Sequence, residues 1–230
     1  MSVHLRRELE KLKRAVLSLS ALAEEQVRLS VQALTERDED LARSVDGRDR
    51  DLDQREVEIE EECLKVLALH QPVAADLRLV VALMKINHDL ERIGDLAVNI
   101  AHKALALAAM PPLELPFDLA QMGFDTQQML IHSLDALVNA DVSLANEVCA
   151  RDGRIDAMKH QIRQVATQRI RDEPYTADAV LAVLAAARNL ERIADHATNI
   201  AEDVIYMTQG RIVRHNWSAD AEHQTRTVSC

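Results

Sequence analysis

The stretch Asp89-Leu-Glu-Arg-Ile-Gly-Asp-Leu-Ala-Val-Asn-Ile-Ala101 returns one hundred residues later as Asn189-Leu-Glu-Arg-Ile-Ala-Asp-His-Ala-Thr-Asn-Ile-Ala201. A match of this length at a fixed offset marks two copies of one structural unit. The apolar positions around it say what the unit is made of. Leu83, Ile86, Leu90, Ile93, Ala97, Ile100, Ala104 and Leu107 alternate between three- and four-residue steps, and Val183, Ala186, Leu190, Ile193, Ala197, Ile200, Val204 and Met207 repeat the series. That spacing draws one stripe along an α-helix. It is also the seam by which helices pack side by side in a bundle.

The rest of the chain fits the same period. Leu5, Leu9, Leu12, Val16, Leu19, Ala23, Val27, Val31 and Leu34 predict a first helix over about 3–37. Leu41, Val45, Leu52, Ile59 and Val66 predict a second over about 41–70, ended by Gln71-Pro72. Proline biases the residue before it away from the helix and is tolerated in a first turn after the break. A third helix follows to Met110. Helices over about 117–139, 142–171 and 175–208 complete the second copy, with Gly210 as the last C-cap. Leu41, Val45, Leu52 and Ile59 match Leu144, Val148, Ile155 and Ile162 at an offset of 103, so the three-residue difference falls near the hairpins. The expected fold is all-α: two tandem three-helix bundles related by internal pseudo-symmetry, six long helices in all. The boundaries are 1–110 for the first bundle, 111–116 for a Pro-rich linker, 117–210 for the second bundle and 211–230 for a polar tail. Each three-helix bundle is expected to close its own core.

The charge narrows the partners. With 27 Lys and Arg against 38 Asp and Glu the net charge is −11, which argues against nucleic acid, whose phosphates need a concentrated positive surface. No N-terminal apolar signal core is visible and no apolar run is long enough to span a bilayer. Cys63, Cys149 and Cys230 are scattered without metal-type spacing. A reduced, cytoplasmic setting is expected.

Chemistry concentrates in the acids. Glu91 and Asp95 are one helical turn apart on one face, beside the seam, and so are Glu191 and Asp195. The preceding helix of each copy carries its own pair, Asp49 with Asp53 and Asp152 with Asp156. Counted from the hairpin near residue 71, at ~1.5 Å per residue, these pairs come level to within about two turns. Four carboxylates can then converge once per bundle. Left alone they repel and some take up protons; a hard cation such as Mg²⁺, Mn²⁺ or Fe resolves the conflict through oxygen coordination. The other reading is a solvated acidic face paired with Arg92, Arg192, Arg48, Arg55 or Arg78. The two sites are expected to differ: Glu56 and Glu60 extend the first cluster, whereas Lys159 and Arg163 stand at the corresponding places in the second. The first is therefore expected to bind metal at least as tightly. No Glu-x-x-His occurs, against a ferritin-like centre. His88 and His196 occupy non-equivalent positions and are read as exposed or satisfied polar residues. No nucleophile or Gly-rich phosphate loop recommends an enzyme; a carboxylate-bridged metalloenzyme and a purely structural bundle are the rival readings.

Four stretches together resemble the PhoU family of phosphate-specific transport accessory proteins: Gln-Pro-Val-Ala-Ala-Asp-Leu-Arg at 71–78, the two repeats at 89–101 and 189–201, and Gly-Arg-Ile-Val-Arg-His at 210–215. The resemblance covers nearly the whole chain in order. It implies two pseudo-symmetric three-helix bundles and a cytoplasmic, non-enzymatic negative regulator of phosphate uptake and the phosphate-starvation regulon. The implied partners are the ATPase subunit of a phosphate ABC transporter and a membrane sensor histidine kinase, with only peripheral membrane contact through them, and a homodimer is expected. It also implies metal, with iron or zinc reported in the family and Mn or Mg compatible with the oxygen ligands. The ligands would be Asp49, Asp53, Glu91, Asp95, Asp152, Asp156, Glu191 and Asp195.

Overall fold

The computed structural model describes residues 3–112 and 118–213, and among these every regular element is helical. The order is α1 (Val3–Glu36), α2 (Glu39–Asp46), α3 (Asp49–His70), α4 (Ala74–Ala108), α5 (Leu119–Asn139), α6 (Val142–Asp172), a 3-10 turn (Pro174–Thr176) and α7 (Ala177–Gln209). Each boundary has a local cause. Asp38 ends the first connection by accepting a hydrogen bond from the Leu41 amide at 2.9 Å, and Asp118 and Asp141 cap α5 and α6 in the same way. Gln71 leaves α3 in the left-handed region just before Pro72. Gly210, at φ 72°, closes α7 by donating to the Tyr206 carbonyl.

The second expected helix is two. The chain breaks at Gly47-Arg48 between α2 and α3, where the Arg48 amide bonds three residues back to Val45. Glycine has little helix propensity, and Asp49 and Asp51 then begin α3 with acids in its first turn, where the helix dipole favours them. The break leaves the apolar seam intact, since Val45 and Leu52 are both fully buried.

The architecture is two three-helix bundles lying side by side. In the first, α1 packs on α4, and α2 with α3 covers both; in the second, α5, α6 and α7 repeat the arrangement. The bundles are not sealed from one another. The most extensive helix pair in the molecule is α4 with α7, and α1 also meets α5. One continuous apolar core therefore runs from Leu5 through Ile93 and Ile193 to Ile205. The expectation that each bundle closes its own core held for the seams and missed the second faces. On α4, Ala82, Asp89 and Leu96 are buried as well as the seam. This second stripe is interrupted by a carboxylate at its centre, so it does not read as a core face in a one-dimensional pattern.

Candidate metal centre and the polar seam

The eight predicted acids fall into two groups, one on each bundle. In the first, Asp49 and Asp53 on α3 face Glu91 and Asp95 on α4. Desolvation raises the Asp49 carboxyl above the ordinary aspartate range, and the charges of Asp53, Asp95 and Asp46 push the same way. Glu91 is raised chiefly by desolvation, then by Asp95, against the opposing pull of Arg92 and His88. Glu56 also rises through desolvation and the charge of Glu60. The pairs therefore do converge electrostatically. Of the two predicted alternatives, the Arg-paired face is visible: Arg92 reaches Asp95 at 3.0 Å and Glu91 at 3.4 Å. Arg48 turns instead to Glu25 and Arg55 to the Ser18 hydroxyl, so neither neutralises the group.

One oxygen in this cluster, Asp49 Oδ1, is buried without a hydrogen bond or ion pair, whereas Glu91 Oε2, also buried without a hydrogen bond, is held by the Arg92 ion pair. Buried acceptors left in that state are costly. An oxygen-only donor set with an orphaned atom suits a hard cation in chemistry. In distance the side chains stand too far apart as placed: among the described residues no three His, Cys, Asp or Glu side chains are gathered closely enough to hold an ion. Ligation would draw the carboxylates of α3 and α4 together.

The second group is built from the same frame and charged differently. Asp152 is raised by desolvation and by Asp156, while the Thr198 hydroxyl, 3.4 Å away, holds it down. Asp195 keeps solvent contact, yet desolvation and the charges of Glu191, Asp152 and Asp156 push it up to about 6. Lys159 is the difference. Its ammonium donates to Glu191 and, at 3.2 Å, to Asp156. The cation foreseen from the sequence thus sits directly on two of the four acids, and a metal would have to displace it.

Gly94 separates Glu91 from Asp95, and a side chain there has no room. A Cβ would lie 2.9 Å from Leu52 Cδ1 and 3.0 Å from Gln26 Oε1. The small residue serves helix packing beneath the acids rather than ligand approach. Cys63 and Cys149 are buried thiols pushed up by desolvation to about 11 and about 12, and so are not reactive. Cys230 lies outside the described residues.

The polar seam between the bundles was not foreseen. Asp89 on α4 is 8% exposed. Its Oδ1 pairs with His196 Nδ1 at 2.7 Å and accepts from Asn199 Nδ2 at 3.4 Å, both on α7. Further along, Lys85 reaches Asp203 at 2.9 Å and lies over the Tyr206 ring. These contacts run in opposite directions along the two helices, so α4 and α7 are antiparallel. They border a cleft of about 790 Å³ whose walls include Asp89, His88, Asp152, Asp195 and Glu202. His196 is thus a satisfied polar residue, as the sequence suggested, while His88 stays exposed, 3.9 Å from Glu91. A signal for the seam existed: the repeat departs from itself at Asp89/Asn189 and Leu96/His196.

The family model of the PhoU domain matches this chain twice, over residues 16–104 and 119–204. The chain belongs to the PhoU family. Each match begins within an outer helix and ends in α4 or α7, so the family unit is the three-helix bundle with its acid pairs. A relative from Pseudomonas putida, described as a phosphate-specific transport system accessory protein PhoU homolog, is 40% identical over 210 residues, covering 90% of this chain and 82% of its own. The crystal structure of PhoU from Pseudomonas aeruginosa superposes with a TM-score of 0.86 at 37% identity, covering 90% of this chain and 99% of that one. The Streptococcus pneumoniae phosphate transport system regulatory protein PhoU gives 0.81 at 29% identity, covering 91% and 99%. The tandem-bundle architecture of this chain is therefore that of its family.

Proposed function

We propose that this protein is a non-enzymatic accessory regulator of a phosphate-specific transport system, acting as a negative regulator of phosphate uptake and of the phosphate-starvation response. The observation that carries the reading is family membership over nine-tenths of the chain, with relatives described as phosphate-specific transport system accessory proteins. In this reading the protein is an adaptor between the ATPase subunit of a phosphate ABC transporter and a membrane sensor histidine kinase. It works from the cytoplasmic side, as a homodimer. Its architecture suits docking: α3, α4, α6 and α7 are rods of 22 to 35 residues, and among the described residues no helix is long and apolar enough to cross a membrane. An adaptor shifts a kinase only if its affinity differs between transporter states.

The acid clusters are the proposed metal sites, with Asp49, Asp53, Glu91 and Asp95 holding Fe, Mn, Zn or Mg in the first bundle. The orphaned buried oxygen of Asp49 supports that assignment. Asp152, Asp156, Glu191 and Asp195 form the second, weaker site because Lys159 competes for its oxygens. When bound, the metal would cross-link adjacent helices of one bundle and neutralise the acids that repel.

The regulatory reading is tested by affinity capture from membranes prepared at high and low phosphate. Retention of transporter or kinase components that changes with phosphate is expected; failure to retain either would overturn it. The metal assignment has its own readout. Glu91→Ala/Asp95→Ala should lower the metal content of the purified protein by elemental analysis, and unchanged content would refute it.

A further inference from the structure

A groove of about 600 Å³ runs between α6 and α7 on the other side of Asp195 from the interbundle cleft. Its walls carry Lys159, His160 and Arg163 from α6 and Arg188, Glu191 and Arg192 from α7, with Leu184 and Ala187 as apolar lining; the Glu191 carboxylate is taken up by Lys159. In a chain of net charge −11 this is a local concentration of cations. The corresponding residues of the first bundle, at the offsets of 103 and 100, are Glu56, Val57, Glu60, His88 and Arg92. On this face α6 thus carries cations where α3 carries acids, while Arg92 and Arg192 are the same in both copies. The inversion is not used up by internal pairing. Lys159 is shared between Asp156 and Glu191, but among the described residues Arg163, Arg188 and Arg192 make no ion pair. Three exposed guanidinium groups around one concavity repel one another unless an anion joins them.

The dimensions select the anion. Arg188 and Arg192 are one helical turn apart, a rise of ~6 Å, and Arg163 comes from the opposite wall. A chain of linked phosphoryl groups presents acceptor oxygens to both walls at once and offers more of them than a single tetrahedral oxyanion. Guanidinium forks match phosphoryl oxygens two at a time. Asp195 at the end of the groove adds a hard oxygen ligand beside the cations, which suits the divalent ion that accompanies a condensed phosphate in water. An acidic peptide would gain nothing from that carboxylate. We propose that the α6–α7 groove binds a condensed phosphate, of pyrophosphate size or longer, through Arg163, Arg188 and Arg192, with its accompanying divalent cation toward Asp195. The proposal stands apart from the adaptor reading, because it is read on the purified protein without partners.

Isothermal titration of the full chain with magnesium pyrophosphate and magnesium tripolyphosphate, at constant ionic strength, is the test. Saturable binding at one site per chain is expected. Arg163→Glu/Arg188→Glu should weaken it at least tenfold. Arg50→Glu/Arg171→Glu, which changes net charge equally on exposed positions elsewhere, should leave it within about twofold if screening by salt removes distant charge effects. Arg188→Gln/Arg192→Gln provides a milder pair should the charge reversal disturb folding, and it too should weaken binding. No saturable heat, equal loss in the control pair, or an acidic peptide binding as tightly as pyrophosphate would each overturn the proposal.

Discussion

Asp195→Asn should stabilise the metal-free protein at neutral pH and not at low pH. The folded protein holds this carboxyl at about 6 against an ordinary 3.8. Well below pH 3.8 the group is protonated in both states and contributes nothing. As pH rises toward 6 the unfolded chain loses its proton first, so stability falls, and above 6 the full penalty is present. A shift of this size corresponds to about 3 kcal/mol at most. Asp195 keeps solvent contact, and screening reduces the expected effect to about 1 kcal/mol. For a chain of this size that is a rise in Tm of about 2–4 °C. The assay is thermal unfolding followed by circular dichroism at pH 4, 5, 6 and 8, with a chelator present throughout. The variant's advantage should be small at pH 4, grow through pH 5 and 6, and level off by pH 8. A variant less stable than the parent at pH 8 under chelator, or one with the same gain at every pH, would refute the electrostatic account of the second cluster. Repeating the series in excess Mn²⁺ should reverse the sign, because a bound cation turns the ionised carboxylate from a cost into a ligand.

Other substitutions probe other parts of the molecule. Gly123→Ala should destabilise by about 1 kcal/mol net in denaturant unfolding, since its Cβ would sit 2.6 Å from Cγ1 of the stiff Val31, and overpacking exceeds the gain in helix propensity. Gly153→Ala, with nothing within 4 Å, should stabilise by about 0.5–1 kcal/mol through propensity alone; the two glycines responding alike would count against the α1–α5 packing. Asp89→Ala should cost about 2 kcal/mol by removing the acceptor shared by His196 and Asn199, and an unchanged urea midpoint would mean the polar seam is dispensable. Lys159→Gln should raise the Mn²⁺ affinity of the second cluster in equilibrium dialysis, because it frees Glu191 and Asp156; no change would show that Lys159 does not compete with metal.

The acid clusters were legible because they ride on a repeat whose helical period fixes faces and levels. Lys159 was legible too, as the place where Glu56 should have had a counterpart. The sequence did not separate salt bridge from ligand, because both use the same acids: in the fold Arg92 spans Glu91 and Asp95 while Asp49 Oδ1 stays buried without a hydrogen bond. The break at Gly47 was signalled only by one glycine in a helical pattern, and a heptad seam running through it concealed it.

Local periodicity by itself determined the helical segments apart from the break at Gly47, because these depend on residues three and four apart, and the repeat at an offset of one hundred determined the two-fold repetition. Periodicity also determined which acids share a face. What only the tertiary structure decided is how the two copies meet. Seen along the chain, Asp89 and His196 are polar residues beside two separate seams; in the fold they form one buried pair between α4 and α7. Gly94 and Ala194 look interchangeable in the repeat, yet Leu52 and Gln26 leave no room for a Cβ at Gly94. The repeat departs from itself at these places because the bundles pack through different neighbours, and contacts between residues a hundred positions apart carry no periodic trace.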